Sequence, residues 1–457
     1  MQIFKSKKFE NRTRFLLSAS PLSILYRIAL PNVAGVAMMT AVTFFDAWFI
    51  GQLGTQALAS LALIFPFQAL MQMMAGGAIG GGITSAIARA TGRGEQDFAK
   101  KIAFNGLALG AGMSFIYAVI FCVFPDHTLG LLSPPDEIMG DAIKYAKVGF
   151  GGAIFTWVFF VLSSVLRGVG DTSTPARVIL VAGCLQIVIS GFLTLGILPG
   201  FDLGFVGPAA SLVICHALAS FYLLAKVIRS KSLFTRENCV LDWRSLTIIL
   251  RVGGLGLINS ITIALTVVIV TSFVGRFGVE ALAGYGLGSR LELMLIPISF
   301  GVGAALTAAV GTNIGANQYQ RAKLIAKTGA LVTFVIIGIF GLLVAFMPWI
   351  WINLFIDFDE SFLFASTYLT IVGPFYGVFA GGMTLYFASQ GTGTMIFPVL
   401  VNVVRLFVVL ITCAATVTLQ LDIQWLFIGI SLGLLVTGIG QFLCLYSSPW
   451  NKTLKWV

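Results

Sequence analysis

Twelve runs of predominantly apolar residues constrain this chain more than any other feature. They open with Leu22–Ile50 and Ala57–Ala88, include Ala142–Leu166, and close with Met395–Leu419 and Ile423–Leu445. About 20 such residues in helical form cross the hydrocarbon core of a bilayer. Backbone polar groups in lipid must be satisfied internally, which leaves helices or closed barrels, and uninterrupted runs of this length suit helices. Composition agrees: 58% of residues are hydrophobic and 10% charged, against about 25% charged in a soluble protein. The expectation is an all-α polytopic membrane protein with twelve transmembrane helices.

The net charge of +10 invites a nucleic-acid reading, which its distribution rejects. With the N-terminus placed in the cytoplasm, Lys7, Lys8, Arg12 and Arg14 of the arm fall on one side. So do Arg89, Arg93, Lys100 and Lys101, then Lys226, Arg229, Lys231, Arg236, Arg244 and Arg251, then Arg321, Lys323 and Lys327, and finally Lys452 and Lys455. Asp126, Asp136, Glu137, Asp141, Asp202, Asp357, Asp359, Glu360 and Asp422 fall on the other. This positive-inside pattern predicts a multi-pass inner-membrane protein with both termini cytoplasmic. The first 21 residues have no apolar core leading to a cleavage site and do not read as a signal peptide. Phe15, Leu16 and Leu17 beside basic residues suggest either a short helix lying at the headgroups or a disordered arm. Cys122, Cys184, Cys215, Cys239, Cys413 and Cys444 are scattered and form neither a metal pair nor a disulfide framework.

The chain repeats itself. FIGQLGTQALAS (Phe49–Ser60) and FVGRFGVEALAG (Phe273–Gly284) are identical at six of twelve positions, at an offset of 224. GRGEQDFAKKIA (Gly92–Ala103) matches GANQYQRAKLIA (Gly315–Ala326) at an offset of 223. Gly170 and Pro175 recur as Gly391 and Pro398. Six spans per half is an even number, so both halves enter the membrane from the same side, related by an axis along its normal. The predicted organisation is an arm (1–21), an N-terminal lobe (22–228), a basic cytoplasmic linker (229–245), a C-terminal lobe (246–446) and a tail (447–457).

At these same residues the chain resembles the MATE family, the multidrug and toxin extrusion transporters. The matching pieces are PNVAGV, DAWFIGQLGTQALA, GGGITSAIARATGRG, LRGVGDTSTP and GYGLGSRLELMLIP…GTNIGANQYQRAK. The resemblance implies a two-lobed, twelve-helix fold. It further implies secondary antiport in which an organic, amphipathic cationic compound leaves as H⁺ or Na⁺ enters. Many prokaryotic relatives carry an Asn and an Asp in the fifth span. This chain has Gln186 and Ser190 at the matching positions, so a second carboxylate is missing.

Asp46 lies inside the first apolar run, where an acid costs about 2.5–3.5 kcal/mol on insertion scales. It reads as the ion-coupling carboxylate, holding H⁺ or Na⁺, against the alternative of a buried structural acid. The repeat places Val270 opposite it. Glu292 reads as a second titrating or selectivity residue, or as an ion pair with Arg405; Arg290, two residues away, points to another face, and both arginines are candidates for an ion or substrate path. His216 reads as a proton-path group or a hydrogen-bonded core residue. Gln68, Gln186, Ser190, Asn259 and Asn402 could line a path or join helices. Met38, Met39, Met71 and Met74 could line an adaptable cavity or fill the core. Pro31 and Pro297 predict kinks.

Beyond a Na⁺ at Asp46, no metal or cofactor is called for, and no phosphate loop supports ATP-driven transport. No nucleophile motif suggests an enzyme. The expected partners are a small organic substrate and the bilayer, with the protein a monomer. Two alternatives remain at this point: a flippase for lipid-linked oligosaccharides, and an intramembrane lipid-modifying enzyme. A passive channel is a third, weaker one.

Overall fold

In the computed structural model the described residues are 7–130, 136–197, 202–229, 239–355 and 360–451. Residues 230–238 of the expected linker, Asp357, Asp359, Lys452 and Lys455 lie outside them. The apolar runs form the helices α1 (Pro21–Gly51), α2 (Thr55–Gly92) and α3 (Gln96–Val123). The bent pair Glu137–Gly151 and Ala153–Gly168 is α4; α5 (Ser173–Leu195) and α6 (Gly204–Ile228) complete the first half. The second half holds α7 (Trp243–Phe277), α8 (Val279–Gly315), α9 (Tyr319–Phe346), α10 (Glu360–Thr392), α11 (Ile396–Thr418) and α12 (Ile423–Cys444). Eleven of these are long and apolar enough to cross a membrane, and α4 makes twelve when its two parts, bent by 44° at the Gly151–Gly152 break, count as one. Among the described residues there is no strand.

The repeat is visible in side-chain detail. Helices α5 and α11 have the same length at a displacement of 223 residues (173 to 396), as do α3 and α9 (96 to 319). Thr84 Oγ1 donates to the Ser164 carbonyl at 3.0 Å, and Thr307 Oγ1 to the Phe387 carbonyl at 2.7 Å. Both partners of the second bond sit 223 positions beyond those of the first (84 to 307, 164 to 387). Two buried apolar clusters follow this division in the main, one from Ile50 to Ile249 and another from Val252 to Leu434. A third joins Leu16 and residues 24–29 to α8, α9 and α10.

The halves meet near the end that carries both termini. There α2 and α8 exchange equivalent contacts. A Cβ on Gly92 would stand 2.1 Å from the Thr312 carbonyl oxygen, and one on Gly315 2.2 Å from that of Arg89. Only glycine permits backbones so close. Along α2, Ile79, Ile83 and Ile87 are fully buried, whereas Leu58 and Phe65 nearer the other end are exposed. Along α8, Ala305, Leu306 and Ala309 are buried and Val279 and Met294 exposed. Residues 73–92 of α2 carry its contacts with α7 and α8, and Thr55–Gln72 makes few, so the lobes close at the basic end and part toward the other, leaving a cleft.

Several loop and arm expectations change. Arg89 is no loop residue: it is 2% exposed inside α2. Its guanidinium donates to Ser85 Oγ and lies 3.2 Å from the Gly391 carbonyl at the C-terminus of α10, where the helix dipole favours a cation. Lys100 is likewise buried, on α3, beside Asp97 at 2.6 Å. The arm does not float. It forms a helix, Lys7–Ser18, docked on both halves. Arg12 pairs with Asp171 at 3.0 Å, Leu16 is buried, and Asn313 Nδ2 donates to the Leu16 carbonyl at 3.0 Å. Asp171 also accepts from the Thr174 N–H and hydroxyl. Leu25–Ala29 forms a π-turn ahead of Pro31, which relieves the clash between the proline ring and the preceding turn. Pro66 and Pro297 both lie inside helices.

Asp242 caps α7. Its carboxylate accepts from the Ser245 hydroxyl at 2.6 Å, the Ser245 N–H at 3.1 Å and the Arg244 N–H at 3.3 Å. These bonds, the Ser245 hydroxyl foremost, hold the carboxyl below the usual aspartate range. Asp242→Ala is expected to lower stability by about 1 kcal/mol at neutral pH. A depressed folded value means the contribution is complete above about pH 4 and is lost as pH falls through that lowered value. Thermal unfolding of wild type and variant in detergent should therefore differ at pH 7 and converge in acid; a constant difference would contradict the assignment.

Candidate functional site

Helices α1 and α5 pack side by side in the N-terminal lobe and bring three predicted residues together. Asp46 is 7% exposed. Ser190 Oγ donates to Asp46 Oδ1 at 2.5 Å, and Gln186 Nε2 lies 3.5 Å from Oδ2. Gln186 and Ser190 stand one helical turn apart on α5, so both reach the same carboxylate. The first bond has the length of a charge-assisted interaction; the second is at the outer limit of one. Around the carboxylate, Val42 and Ile50 of α1 are buried. The site thus presents one acid, one hydroxyl and one amide, all oxygen or amide chemistry suited to a proton or a hard monovalent cation.

The equivalent place in the C-terminal lobe is apolar. Val270, Val409 and Cys413 replace Asp46, Gln186 and Ser190 at displacements of 224, 223 and 223, and all three belong to the buried core. The C-terminal lobe keeps its acid elsewhere. Tyr368 Oη donates to Glu292 Oε2 at 2.8 Å. The same bond exists in the N-terminal lobe, where Tyr145 Oη donates to Gln68 Oε1 at 3.2 Å, with Gln68 and Tyr145 displaced by 224 and 223 residues from Glu292 and Tyr368. One lobe has a carboxylate where the other has an amide. The tyrosines were not singled out by sequence, although their repeat-length spacing was there to find.

Arg405 does not form the direct ion pair with Glu292 that the sequence allowed: among the described residues no such pair lies within 4.0 Å. It lies in the field of Glu292, reaches Thr266 Oγ1 on α7 at 3.3 Å and stands over the Phe379 ring at 5.9 Å. His216 is joined to Thr156 Oγ1 at 2.9 Å and stacked on Phe159, 5.0 Å between centroids; neither partner is Asp46. Asn402 Nδ2 donates to Asn259 Oδ1 at 2.5 Å, and this buried pair ties α11 to α7. Met71 has no exposed surface and belongs to the core. Met39 and Met74 pack against that core, and Tyr117 lies 3.2 Å from the Met74 sulfur. Met38 presses on Gly183 of α5. Arg290 is exposed. Among the described residues no cluster of three or more His, Cys, Asp or Glu is placed to hold a metal.

Two duplicated six-helix lobes, closed at one end, parted at the other and holding a buried acid in one of them, define a membrane transporter rather than an enzyme. The profile of the MatE family matches residues 31–191 and 257–416, and the chain belongs to that family. It is 26% identical over 357 residues to the "Probable multidrug resistance protein YoeA" of Bacillus subtilis, covering 77% of each chain. It is 24% identical to the "FAD transporter" of Shewanella oneidensis, covering 93% of this chain and 95% of that one. Among solved structures, a MOP superfamily transporter from Pyrococcus furiosus superposes with a TM-score of 0.88 at 21% identity, covering 96% and 98% of the two chains. An outward-facing MATE multidrug resistance transporter superposes at 0.85 and 21% identity, covering 94% and 96%. The family match and these likenesses establish the fold and a multi-pass membrane transporter.

Proposed function

We propose that this protein is a secondary antiporter of the inner membrane, with both termini cytoplasmic, that exports amphipathic organic compounds in exchange for H⁺ or Na⁺. The observation that carries the reading is the buried Asp46 carboxylate held by Ser190 and Gln186 on a neighbouring helix. Ion binding neutralises the acid and changes what holds α1 against α5. The π-turn at Leu25–Ala29 and Pro31 give α1 a place to bend. An ion shifts the equilibrium between two lobe arrangements only through its different affinity for each. The relatives named above include multidrug resistance proteins and an FAD transporter, which supports export of organic compounds and a varied choice among them. The flippase alternative draws less support: of the two arginines that the sequence places mid-span, Arg405 is buried in its own lobe and 5% exposed, which leaves Arg290 alone where a pyrophosphate would draw on more than one cation. The test is uptake of fluorescent organic dyes into vesicles under a pH gradient and, separately, a Na⁺ gradient. One gradient is expected to drive accumulation and so to name the ion. Indifference to both would sink the antiport reading.

A further inference from the structure

Helix α8 carries one cation that the ion site does not use. Positions eleven, eighteen and twenty-five residues apart return to one face of a helix. Arg290 therefore shares a face with Gly301, Ala308 and Gly315. Further along that face α8 meets the N-terminal lobe: Gly301 lies against the backbone of Val33 and Gly315 against Arg89, and Ala308 is buried. Toward the open end the same face is uncovered. Arg290 is exposed, Met294 is 48% exposed, and nothing stands within 4 Å of where a Cβ on Gly286 would be. Arg290 thus stands on the C-terminal wall of the cleft, roughly 16 Å in from Val279 at about 1.5 Å per residue. Among the described residues no acidic side chain pairs with it. Glu292 is turned the other way, onto Tyr368.

An arginine at this depth is expensive unless it faces water and has work to do. Its planar fork matches carboxylates and phosphates in a way lysine does not. We propose that Arg290 binds an acidic group of the transported compound. The substrate is then an amphipathic organic anion or zwitterion, its carboxylate or phosphate on the guanidinium and its apolar part on the cleft walls. This rests on the reading of the cleft as the substrate path. It narrows the organic cations that the family resemblance implies to compounds that also, or only, carry an acid.

The test is equilibrium binding to the purified full-length protein in detergent, followed by fluorescence. One probe pair is a xanthene dye with a free carboxylate and its ethyl ester; the other is a coumarin phosphate and its parent coumarin. Wild type is expected to bind at least one acid roughly tenfold tighter than its neutral partner, the scale of a charge-assisted hydrogen bond. Arg290→Ala should erase that ratio while the neutral partners bind as before, which also reports that the variant is folded; Arg290→Lys should restore part of it. A preference confined to one pair names carboxylate or phosphate. Equal affinities in wild type, or a preference that survives in Arg290→Ala, would overturn the proposal. No gradient is used, so a failure of ion coupling leaves the ratio intact, and coupled transport without an acid preference would remove this inference alone.

Discussion

Vesicles carrying Asp46→Asn are expected to show no gradient-driven accumulation, where wild type responds to one of the two ions. The asparagine keeps the shape of the carboxyl group and can still accept from the Ser190 hydroxyl, so α1 and α5 should remain packed. What it loses is the charge that an entering ion neutralises. For a one-to-one exchange, each pH unit of gradient supplies about 1.4 kcal/mol, or about tenfold accumulation. The variant should give none at any gradient, while slow equilibration across the membrane persists. Replacing a buried acid with a neutral group does not leave an unpaired charge behind, so membrane insertion and thermal stability should match wild type or exceed it. Uptake measured at matched protein content checks this. An Asp46→Asn protein that accumulates dye like wild type would remove Asp46 from the mechanism.

Gly315→Val should open the closed end. The new Cβ would stand 2.2 Å from the Arg89 carbonyl oxygen, a backbone atom that cannot turn aside as a side chain would. Overpacking of this kind typically costs about 1–3 kcal/mol. The clash lies between the lobes and not inside either, so parting the lobes at the basic end relieves it. Gly92→Val is the matching experiment on the other side of the pseudo-axis, with 2.1 Å to the Thr312 carbonyl. Each variant should shift the population away from this arrangement by roughly ten- to a hundredfold. Spin labels placed on either side of the closed end would report longer distances in both. Distances unchanged from wild type would show that the contact yields locally and does not govern which end is closed. The Arg89 guanidinium on the terminal carbonyls of α10 is part of the same closure, and it would have to release as the lobes part.

How much of the site could be read from the chain varies residue by residue. Asp46, Gln186 and Ser190 were found because an acid in an apolar run is rare and because the family pattern points to the fifth span. Their convergence at 2.5 Å and 3.5 Å was open until α1 and α5 were placed side by side. The Tyr145–Gln68 and Tyr368–Glu292 bonds were passed over because a tyrosine in an apolar helix has no distinctive composition. Arg89 was counted with the loop bases because hydropathy loses the helix end among glycines and polar residues. Met71 read as either adaptable lining or core filler; its side chain is fully buried, a matter of which face of α2 turns inward.

Span number, the duplication and the class of protein were determined by the sequence itself. Burial of apolar residues and the cost of charges in lipid are local sums along the chain, and a repeat is visible wherever its landmarks recur. The tertiary structure alone decided that Ser190 and Gln186 of α5 reach the Asp46 carboxylate and that Tyr368 reaches Glu292. It likewise decided which end of the cleft is closed, and that Arg290 faces that cleft while Glu292, two residues on, faces its own lobe. Those outcomes depend on helix rotation and on contacts between residues 76 or more positions apart, and no local sum contains them.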